Sequence, residues 1–205
     1  MERRRNGTRY CLAAYERNTM NEVAAHLGGH GGKTWFDRGS LRWMINNYDV
    51  KSMIDVGCGP GGQIAQAKGL GIEAIGIDGD HTVNPDVLID FTEQTWDTDR
   101  TFDLAWSVEF LEHVAEEYMD NYMQIFKKCK YVICTASTWP GPLHVNCKPK
   151  DWWIDKFAEY GLIYSDDIYQ EILKSSTMDK KNNPKTGPMT WLERTGMVFV
   201  NQNTN

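Results

Sequence analysis

The residues with the clearest chemical potential in this chain form a glycine-rich turn, GCGPGG at residues 57–62, directly after an apolar run that ends at Val56. Glycine tolerates positive φ and lets the backbone approach a ligand closely. A helix that begins after such a turn presents unpaired N–H groups and a partial positive charge to that ligand. Gly57, Gly59 and Gly62 also satisfy the pattern G-x-G-x-x-G, so a dinucleotide is one candidate ligand. The purely structural alternative is a tight turn between a strand and a helix.

Acidic side chains follow this turn at the ends of later apolar runs. Asp78 stands where a carboxylate would meet the ribose hydroxyls of a dinucleotide or of an adenosyl ligand. Asp55, two residues before Gly57, suits a ligand with a cationic amino-acid end better than it suits a pyrophosphate. Asp90 and Phe91 offer an acceptor and an apolar face for a purine. The order of these groups favours an adenosyl ligand, although Asp55 or Asp90 taken singly could cap a neighbouring helix.

Short apolar runs that alternate with helical stretches must position these side chains. Runs at 53–56, 74–77, 87–89, 104–106, 132–136 and 197–200 are typical of strands that are buried on both faces. The segments at 63–70, 116–127, 151–160 and 166–174 have the composition and apolar spacing of helices. This alternation predicts an α/β fold, a doubly wound and mostly parallel sheet with helices on both faces.

Residues 1–50 have a different hydrophobic pattern from the rest of the chain. Short apolar clusters lie on both sides of a glycine-rich segment at 28–32. We predict two or three short helices there, as an N-terminal extension that acts as a lid with this loop as its hinge, and a ligand-binding domain at 51–205. His26 and His30 are four residues apart and could share a helix face for a metal ion. Two glycines lie between them, which favours a loop, and we predict no metal site.

The composition restricts the class of protein. A chain of 205 residues, 41% hydrophobic and 24% charged, fits one domain with a modest extension. It contains no apolar run long enough to cross a membrane. Five cysteines without a CxxC pair indicate reduced thiols and a cytoplasmic location. The net charge of −6 disfavours duplex nucleic acid as a partner.

Together, these residues resemble the successive motifs of class I S-adenosylmethionine (SAM)-dependent methyltransferases over about residues 51–138, and most closely the small stand-alone bacterial or phage enzymes. The motifs are DVGCGPG at 55–61, Asp78, Asp90-Phe91, FDL at 102–104 and LEHV at 111–114. The resemblance implies a Rossmann-like methyltransferase fold in which the strand at 197–200 is antiparallel, and it implies SAM as cofactor. The acceptor does not follow from it, because this fold serves many substrates.

The resemblance also implies which residues hold the cofactor, from its methionine part to its adenine: Asp55, Gly57, Cys58, Gly59, Gly61, Asp78, Asp90, Phe91, Ser107 and Val108. In this assignment Asp55 lies near the amino group, Asp78 holds the ribose, and Ser107 and Val108 line the end that carries the methyl group. One departure from the family concerns residues 162–176, which look largely helical. We therefore expect the sheet to be one strand shorter than usual.

Two histidines are candidate catalytic bases. Methyl transfer from a sulfonium is an in-line displacement, and a base contributes about 10²–10⁴-fold when the acceptor is a hydroxyl or a protonated amine. His144 follows the fifth predicted strand, where the substrate loops of this fold gather, and it is our first candidate. His113, beside Glu112, is the second. The alternative is that each histidine only packs at a helix start or in a loop.

Two sequence features bear on the class of methyl acceptor. The sequence SVEF at 107–110 replaces the Asn/Asp-Pro-Pro-aromatic motif typical of nucleobase amino-methylation. We predict O- or N-methylation of a small molecule or glycan, with an aromatic wall made of Trp35, Trp139, Trp152 and Trp153. An NAD(P)-binding oxidoreductase would use the same glycine turn, and a non-catalytic SAM-binding protein would have the same motifs.

Overall fold

A seven-stranded sheet organises the chain in the computed structural model, which describes residues 23–180 and 187–203. The strands are β1 Ser52–Val56, β2 Glu73–Asp78, β3 Val87–Leu88, β4 Phe102–Ser107, β5 Cys129–Cys134, β6 Leu162–Tyr164 and β7 Met197–Asn201. The helices are α1 Arg38–Tyr48, α2 Gly62–Lys68, α3 Met119–Phe126, α4 Lys150–Glu159, α5 Asp166–Ser175 and α6 Trp191–Thr195. Short 3-10 turns span His81–Val83, Leu111–His113 and Glu116–Tyr118.

The strand order is β3-β2-β1-β4-β5-β7-β6, with β7 antiparallel to both of its neighbours and the other pairs parallel. The predicted doubly wound, mostly parallel sheet with an antiparallel last strand is therefore confirmed. The expectation of a sheet one strand shorter is wrong, because Leu162–Tyr164 form β6 along β7 before α5 begins. Three residues are too few to show the alternating pattern of a strand in the sequence. The extended conformation of β6 depends on its hydrogen-bonded pairing with β7.

Two apolar cores lie on opposite faces of the sheet because successive side chains of a strand point in opposite directions. Ile54 of β1 joins the core that α3 and α4 cover. Its neighbour Met53 joins the core under α1, α2 and α5. Burial on both faces explains why the strands appear in the sequence as continuous apolar runs.

The region before β1 contains a single helix, α1, within its described part, residues 23–50. The apolar cluster at 23–27, predicted to be helical, forms a turn instead, and the cluster at 10–15 lies outside the described residues. Leu41 and Met44 of α1 are fully buried in the second core, so this helix shares its core with the sheet. Nowhere in the described ranges does a helix combine the length and apolarity needed to span a bilayer.

Asp37 holds α1 in place. This fully buried residue is the N-cap: its carboxylate accepts from the backbone N–H of Ser40 at 3.0 Å and from its hydroxyl at 2.7 Å. It also accepts from the backbone N–H of Thr177 at 2.8 Å, which ties α1 to the chain that follows α5. One carboxylate thus caps a helix and joins two segments that are distant in sequence.

We therefore expect Asp37→Ala to lower the free energy of unfolding by about 3 kcal/mol, because it removes a helix cap and leaves buried donors unpaired. Urea unfolding measures the change. Asp97→Ala, at an exposed position, is the control and should leave the midpoint unchanged. Equal midpoints for the two variants would contradict the role of Asp37.

Candidate functional site

The candidate site lies at the edge of the sheet where the carboxyl ends of β1, β2, β4 and β5 meet. There the turn at 57–61 leaves β1 with positive φ at Gly57 (76°), Gly59 (48°) and Gly61 (78°). A Cβ atom at Gly57 would lie 2.4 Å from the ring of Phe110, so a side chain fits there neither conformationally nor sterically. Glycine is therefore required at this position of the turn.

Two adjoining cavities open over this edge. The larger, about 410 Å³, extends from Asp55 and the glycine turn to Glu112, His144 and four tryptophans. The smaller, about 70 Å³, is lined by Asp78, Asp90, Phe91 and the chain around Gly28. Both are lined by Gly29, His30, Gly57, Glu109 and His113, so together they form one groove across the strand ends.

Asp55 is the unusual group in the wall of the larger cavity. Its side chain is 3% exposed and accepts no hydrogen bond from the described residues. Burial raises the pKa of this carboxyl well above its ordinary value, and the charge of Asp78 raises it further. A buried carboxylate without a partner is costly, so this position favours a ligand that brings a positive charge or a donor.

Asp78 ends β2 and faces the smaller cavity with its carboxylate already oriented. One oxygen accepts from the backbone N–H of Gly59 at 2.8 Å, and the other accepts from that of Asp80 at 2.9 Å. Each carboxylate oxygen has two lone pairs, so one on each oxygen remains for a ligand. The turn and the acid predicted to hold the ribose are thereby fixed to each other.

Asp90 and Phe91 form the far side of the smaller cavity. The carboxylate of Asp90 accepts from the backbone N–H and the hydroxyl of Thr92 at 2.8 and 2.7 Å. Burial opposes ionisation of Asp90, but these bonds and His26 outweigh it, and the pKa of Asp90 is lowered. Phe91 is buried against Phe110 in an edge-to-face contact, with a centroid distance of 5.7 Å.

Residues 26–30 cross the groove from above. His26 Nε2 lies 2.6 Å from the carboxylate of Asp90, and His30 Nε2 lies 3.0 Å from that of Asp80. Between them, Gly29 approaches His113 so closely that a Cβ atom would lie 2.6 Å from its ring. The segment predicted to be a lid is thus in contact with the acids at the ends of two strands.

Two residues assigned to the cofactor by resemblance lie outside both cavities. Ser107 is fully buried, and its hydroxyl donates to the carbonyl of Val56 at 2.9 Å, which joins β4 to β1. Gly61 donates its N–H to the carbonyl of Cys58 at 3.0 Å and closes the turn. Val108 and Cys58 do line the larger cavity.

The aromatic wall differs from the prediction. Trp35 and Trp139 line the larger cavity, whereas Trp153 is fully buried in the first core and Trp152 packs edge-to-face against it. Trp191, which we did not predict, stacks with Trp139 at a centroid distance of 6.2 Å. Its only sequence signal is its position at the start of α6, just before the last strand.

A group of acids and imidazoles converges beside these tryptophans. Glu112 is fully buried, and neither of its oxygens has a hydrogen-bond partner of good geometry. Burial raises its pKa to about 7, an effect that the backbone N–H groups of Glu112 and Ser137 offset only in part. Burial and the charge of Glu112 raise the pKa of Glu109 to about 8. The sequence predicts a Glu-His pair at this rim, within the segment 109–113, but it assigns no role to Glu109 or Glu112.

His113 and His144, the two predicted bases, lie side by side with their rings edge-to-face at a centroid distance of 4.9 Å. His113 Nδ1 is 3.1 Å from the carbonyl oxygen of Leu143, and His144 Nδ1 is 2.9 Å from that of Trp139. Burial lowers the pKa of His113. One ligating atom from each of Glu112, His113 and His144 lies within 4.8 Å of the others, a set that could hold a metal ion.

No protein-family model matches the sequence, and the search of curated proteins finds no match. Solved structures do match. The sugar N-methyltransferase KedS8 from Streptoalloteichus superposes with a TM-score of 0.55 at 11% identity, covering 93% of this chain and 92% of that one. A TehB-like SAM-dependent methyltransferase from Corynebacterium glutamicum gives 0.53 at 13% identity, covering 95% and 97%.

A third match is magnesium protoporphyrin IX methyltransferase from Synechocystis with bound SAM, which gives a TM-score of 0.52 at 11% identity, covering 98% of this chain and 87% of that one. At such identities the likeness establishes the fold. This chain has the Rossmann-like fold of class I methyltransferases, as the sequence resemblance implied.

The close packing of the turn can be tested with a matched pair of glycines. Gly57 and Gly71 both have positive φ, at 76° and 83°, but a Cβ atom at Gly71 would meet nothing within 4 Å. Gly71→Ala should lose about 1–2 kcal/mol of stability from backbone strain alone. Gly57→Ala should lose about 1–3 kcal/mol more from the clash with Phe110. Equal losses in urea unfolding would contradict the close approach at Gly57.

Proposed function

We propose that this chain is a SAM-dependent methyltransferase that moves a methyl group by in-line displacement to an O or N acceptor on a small molecule or glycan. The observation that carries the proposal is Asp55, a buried carboxylate without a partner beside the glycine turn. SAM brings an ammonium and a sulfonium to this position, which would offset the cost of burying the charge.

Each of the two cavities would hold a different part of this cofactor. The smaller cavity, with Asp78, Asp90 and Phe91, offers acceptors and an apolar face to an adenosine. The larger cavity takes the methionine part near Asp55 and the acceptor beyond Val108. Holding the acceptor, methyl carbon and sulfur on one axis can contribute about 7–11 kcal/mol, so positioning would be the main task of the protein.

The NAD(P)-dependent alternative is disfavoured by the same carboxylate. A dinucleotide would bring its pyrophosphate to the glycine turn, next to the buried Asp55, and two negative groups would repel each other there. A SAM-binding protein without activity shares every feature named so far, and only turnover separates it from an enzyme.

The tryptophans support an acceptor with a flat or sugar-like ring. Trp139 and Trp191 are stacked, and Trp35 meets Trp191 edge-to-face at 5.8 Å, all three in the wall of the larger cavity. Aromatic faces bind such rings through dispersion and apolar contact. The net charge of −6 continues to disfavour duplex nucleic acid. A cytoplasmic location stays a prediction from the cysteines, and the four described ones are free thiols.

We also propose that residues 23–36 act as a lid on the groove. Their contacts with Asp80 and Asp90 through His30 and His26 support a closed position over the adenosine part. Helix α1, which follows, is anchored in the core and would remain fixed as the lid moves.

Asp55→Asn and Asp78→Asn should each lower the affinity for SAM by about 10-fold or more, because each removes a charge-assisted interaction. Isothermal titration calorimetry measures the affinities. With 5′-methylthioadenosine, which lacks the amino-acid end, Asp78→Asn should still lose affinity, whereas Asp55→Asn should bind as the wild type does.

Asp97→Asn, at an exposed position, is the control for charge removal and should bind SAM normally. Heat with NADH and none with SAM would overturn the proposal in favour of an oxidoreductase. Equal loss of 5′-methylthioadenosine binding in both variants would contradict the assignment of Asp55 to the amino-acid end.

The lid predicts a specific pattern of limited proteolysis. Lys33 is exposed and lies in the segment proposed to close over the groove, so saturating SAM should slow tryptic cleavage after it. Cleavage after the exposed Lys180, outside the groove, should continue at the same rate. Equal rates after Lys33 with and without SAM would refute the lid.

A further inference from the structure

The buried carboxyl group of Glu112 is a candidate ligand for a cation, because no described residue forms a hydrogen bond of good geometry with it. Both of its oxygens are shielded from water and lack a hydrogen bond of good geometry, although the side chain lines the larger cavity. An uncompensated buried charge costs several kcal/mol. One ligating atom of His113 and one of His144 lie within 4.8 Å of a ligating atom of Glu112 and of each other.

The hydrogen bonds of the two imidazoles decide what they offer. A backbone carbonyl only accepts, so the Nδ1 atoms of His113 and His144 must carry the protons donated to Leu143 and Trp139. In the neutral rings this leaves a lone pair on each Nε2 atom. An imidazole held by Nδ1–H to a carbonyl is the usual arrangement of a metal-ligating histidine.

Backbone contacts fix the two segments that carry these ligands. The N–H groups of Val145 and Asn146 donate to the carbonyl of Glu112 at 2.8 and 3.0 Å. The Asn146 side chain donates to the carbonyl of Val114 at 3.2 Å. The loop after β5 is therefore fastened to the 3-10 turn Leu111–His113, and the ligands are held together without a metal ion.

From this arrangement we infer that Glu112, His113 and His144 form a site for a divalent transition-metal cation, and that the cation binds a hydroxyl group of the methyl acceptor. The second half rests on the proposed methyltransferase function, but the metal site does not. The assignment replaces the role of general base that the sequence suggested for His113 and His144.

The donor set indicates which ions fit. Two imidazole nitrogens and one carboxylate suit Zn²⁺, Mn²⁺, Fe²⁺ and Co²⁺ better than Mg²⁺, which prefers oxygen ligands. Three protein ligands leave at least one coordination position open. Glu109 lies in the same cavity wall, and its carboxyl group accepts a hydrogen bond from the Thr135 hydroxyl at 2.9 Å.

A cation at this place favours a hydroxyl acceptor over an amine. An amine nitrogen has one lone pair, which coordination would occupy, whereas a coordinated hydroxyl oxygen keeps lone pairs for attack. The cation lowers the pKa of that hydroxyl, and its proton leaves to solvent. The oxygen then forms a bond to the methyl carbon while the carbon–sulfur bond breaks. The electron pair of that bond stays on sulfur, and S-adenosylhomocysteine is released.

The test begins with the metal alone. Chelator-treated full-length protein is titrated with Zn²⁺, Mn²⁺, Co²⁺ and Mg²⁺ by calorimetry, and the Co²⁺ form is examined by visible absorption. We expect binding of the first three at one site. Glu112→Gln, His113→Ala and His144→Ala should each weaken Co²⁺ binding by at least about 100-fold, and the absorption should change with the lost ligand.

Matched controls are His81→Ala and Glu117→Gln, which change exposed residues of the same types outside the groove. Both should bind Co²⁺ as the wild type does. Every variant is also titrated with SAM without metal, which checks that it is folded. Absent Co²⁺ binding with normal SAM binding would overturn the metal site alone. Co²⁺ binding without SAM binding would overturn the proposed function alone.

Small aromatic ligands test whether the bound cation has an open coordination position. Catechol, which presents hydroxyl oxygens on a flat ring, should shift the absorption bands of the bound Co²⁺. Aniline, with the same ring and an amine, should shift them less. A spectrum that catechol leaves unchanged would mean that the coordination is closed, and it would overturn the role of the cation in holding the acceptor.

Discussion

The pairing of β1 with two parallel neighbours is the constraint on which the rest of the molecule depends. Asp55 lies in register with Gly76 of β2 and with Trp106 of β4, so three carboxyl ends stop at one edge. The ladder continues into the turn, since the N–H groups of Gly57 and Cys58 both donate to the carbonyl of Ile77 at 2.9 and 3.0 Å. This geometry brings Asp55 and Asp78 to the same edge of the sheet as the glycine turn.

The two halves of the groove satisfy their acids in different ways. In the smaller cavity, Asp78 and Asp90 are already hydrogen-bonded by the backbone and by Thr92, so they are oriented before a ligand arrives. On the other side, Asp55 and Glu112 are buried without hydrogen-bond partners of good geometry. Unsatisfied charge costs stability and is expected mainly where function requires it. The end of the groove at Asp78 and Asp90 is therefore already arranged to bind neutral polar groups. The end at Asp55 and Glu112 favours a ligand that carries positive charge.

Much of the fold could be predicted because its signals are local. Apolar runs, the glycine turn and the acids after the strands lie within a few residues of one another, and pattern alone located them. Two predictions were wrong. Strand β6 was missed because three residues cannot show the alternation of a strand, and the apolar cluster at 23–27, predicted to be a helix, forms a turn. The assignment of Ser107 to the cofactor stays a prediction, and its hydroxyl donates to the carbonyl of Val56 within the sheet.

The sequence by itself determined most of the strands and helices, in their order along the chain, and the glycine turn after β1. These signals are local, because hydrophobic periodicity and the backbone freedom of glycine depend on neighbouring residues. Tertiary structure alone decided which distant groups meet. His144 lies 31 residues beyond His113, and the two come together only because the loops after β4 and β5 leave adjacent strands and bond to each other. Trp191 reaches Trp139 in a similar way, from the helix before β7. Contacts of this kind depend on strand adjacency and loop geometry, which no local pattern records.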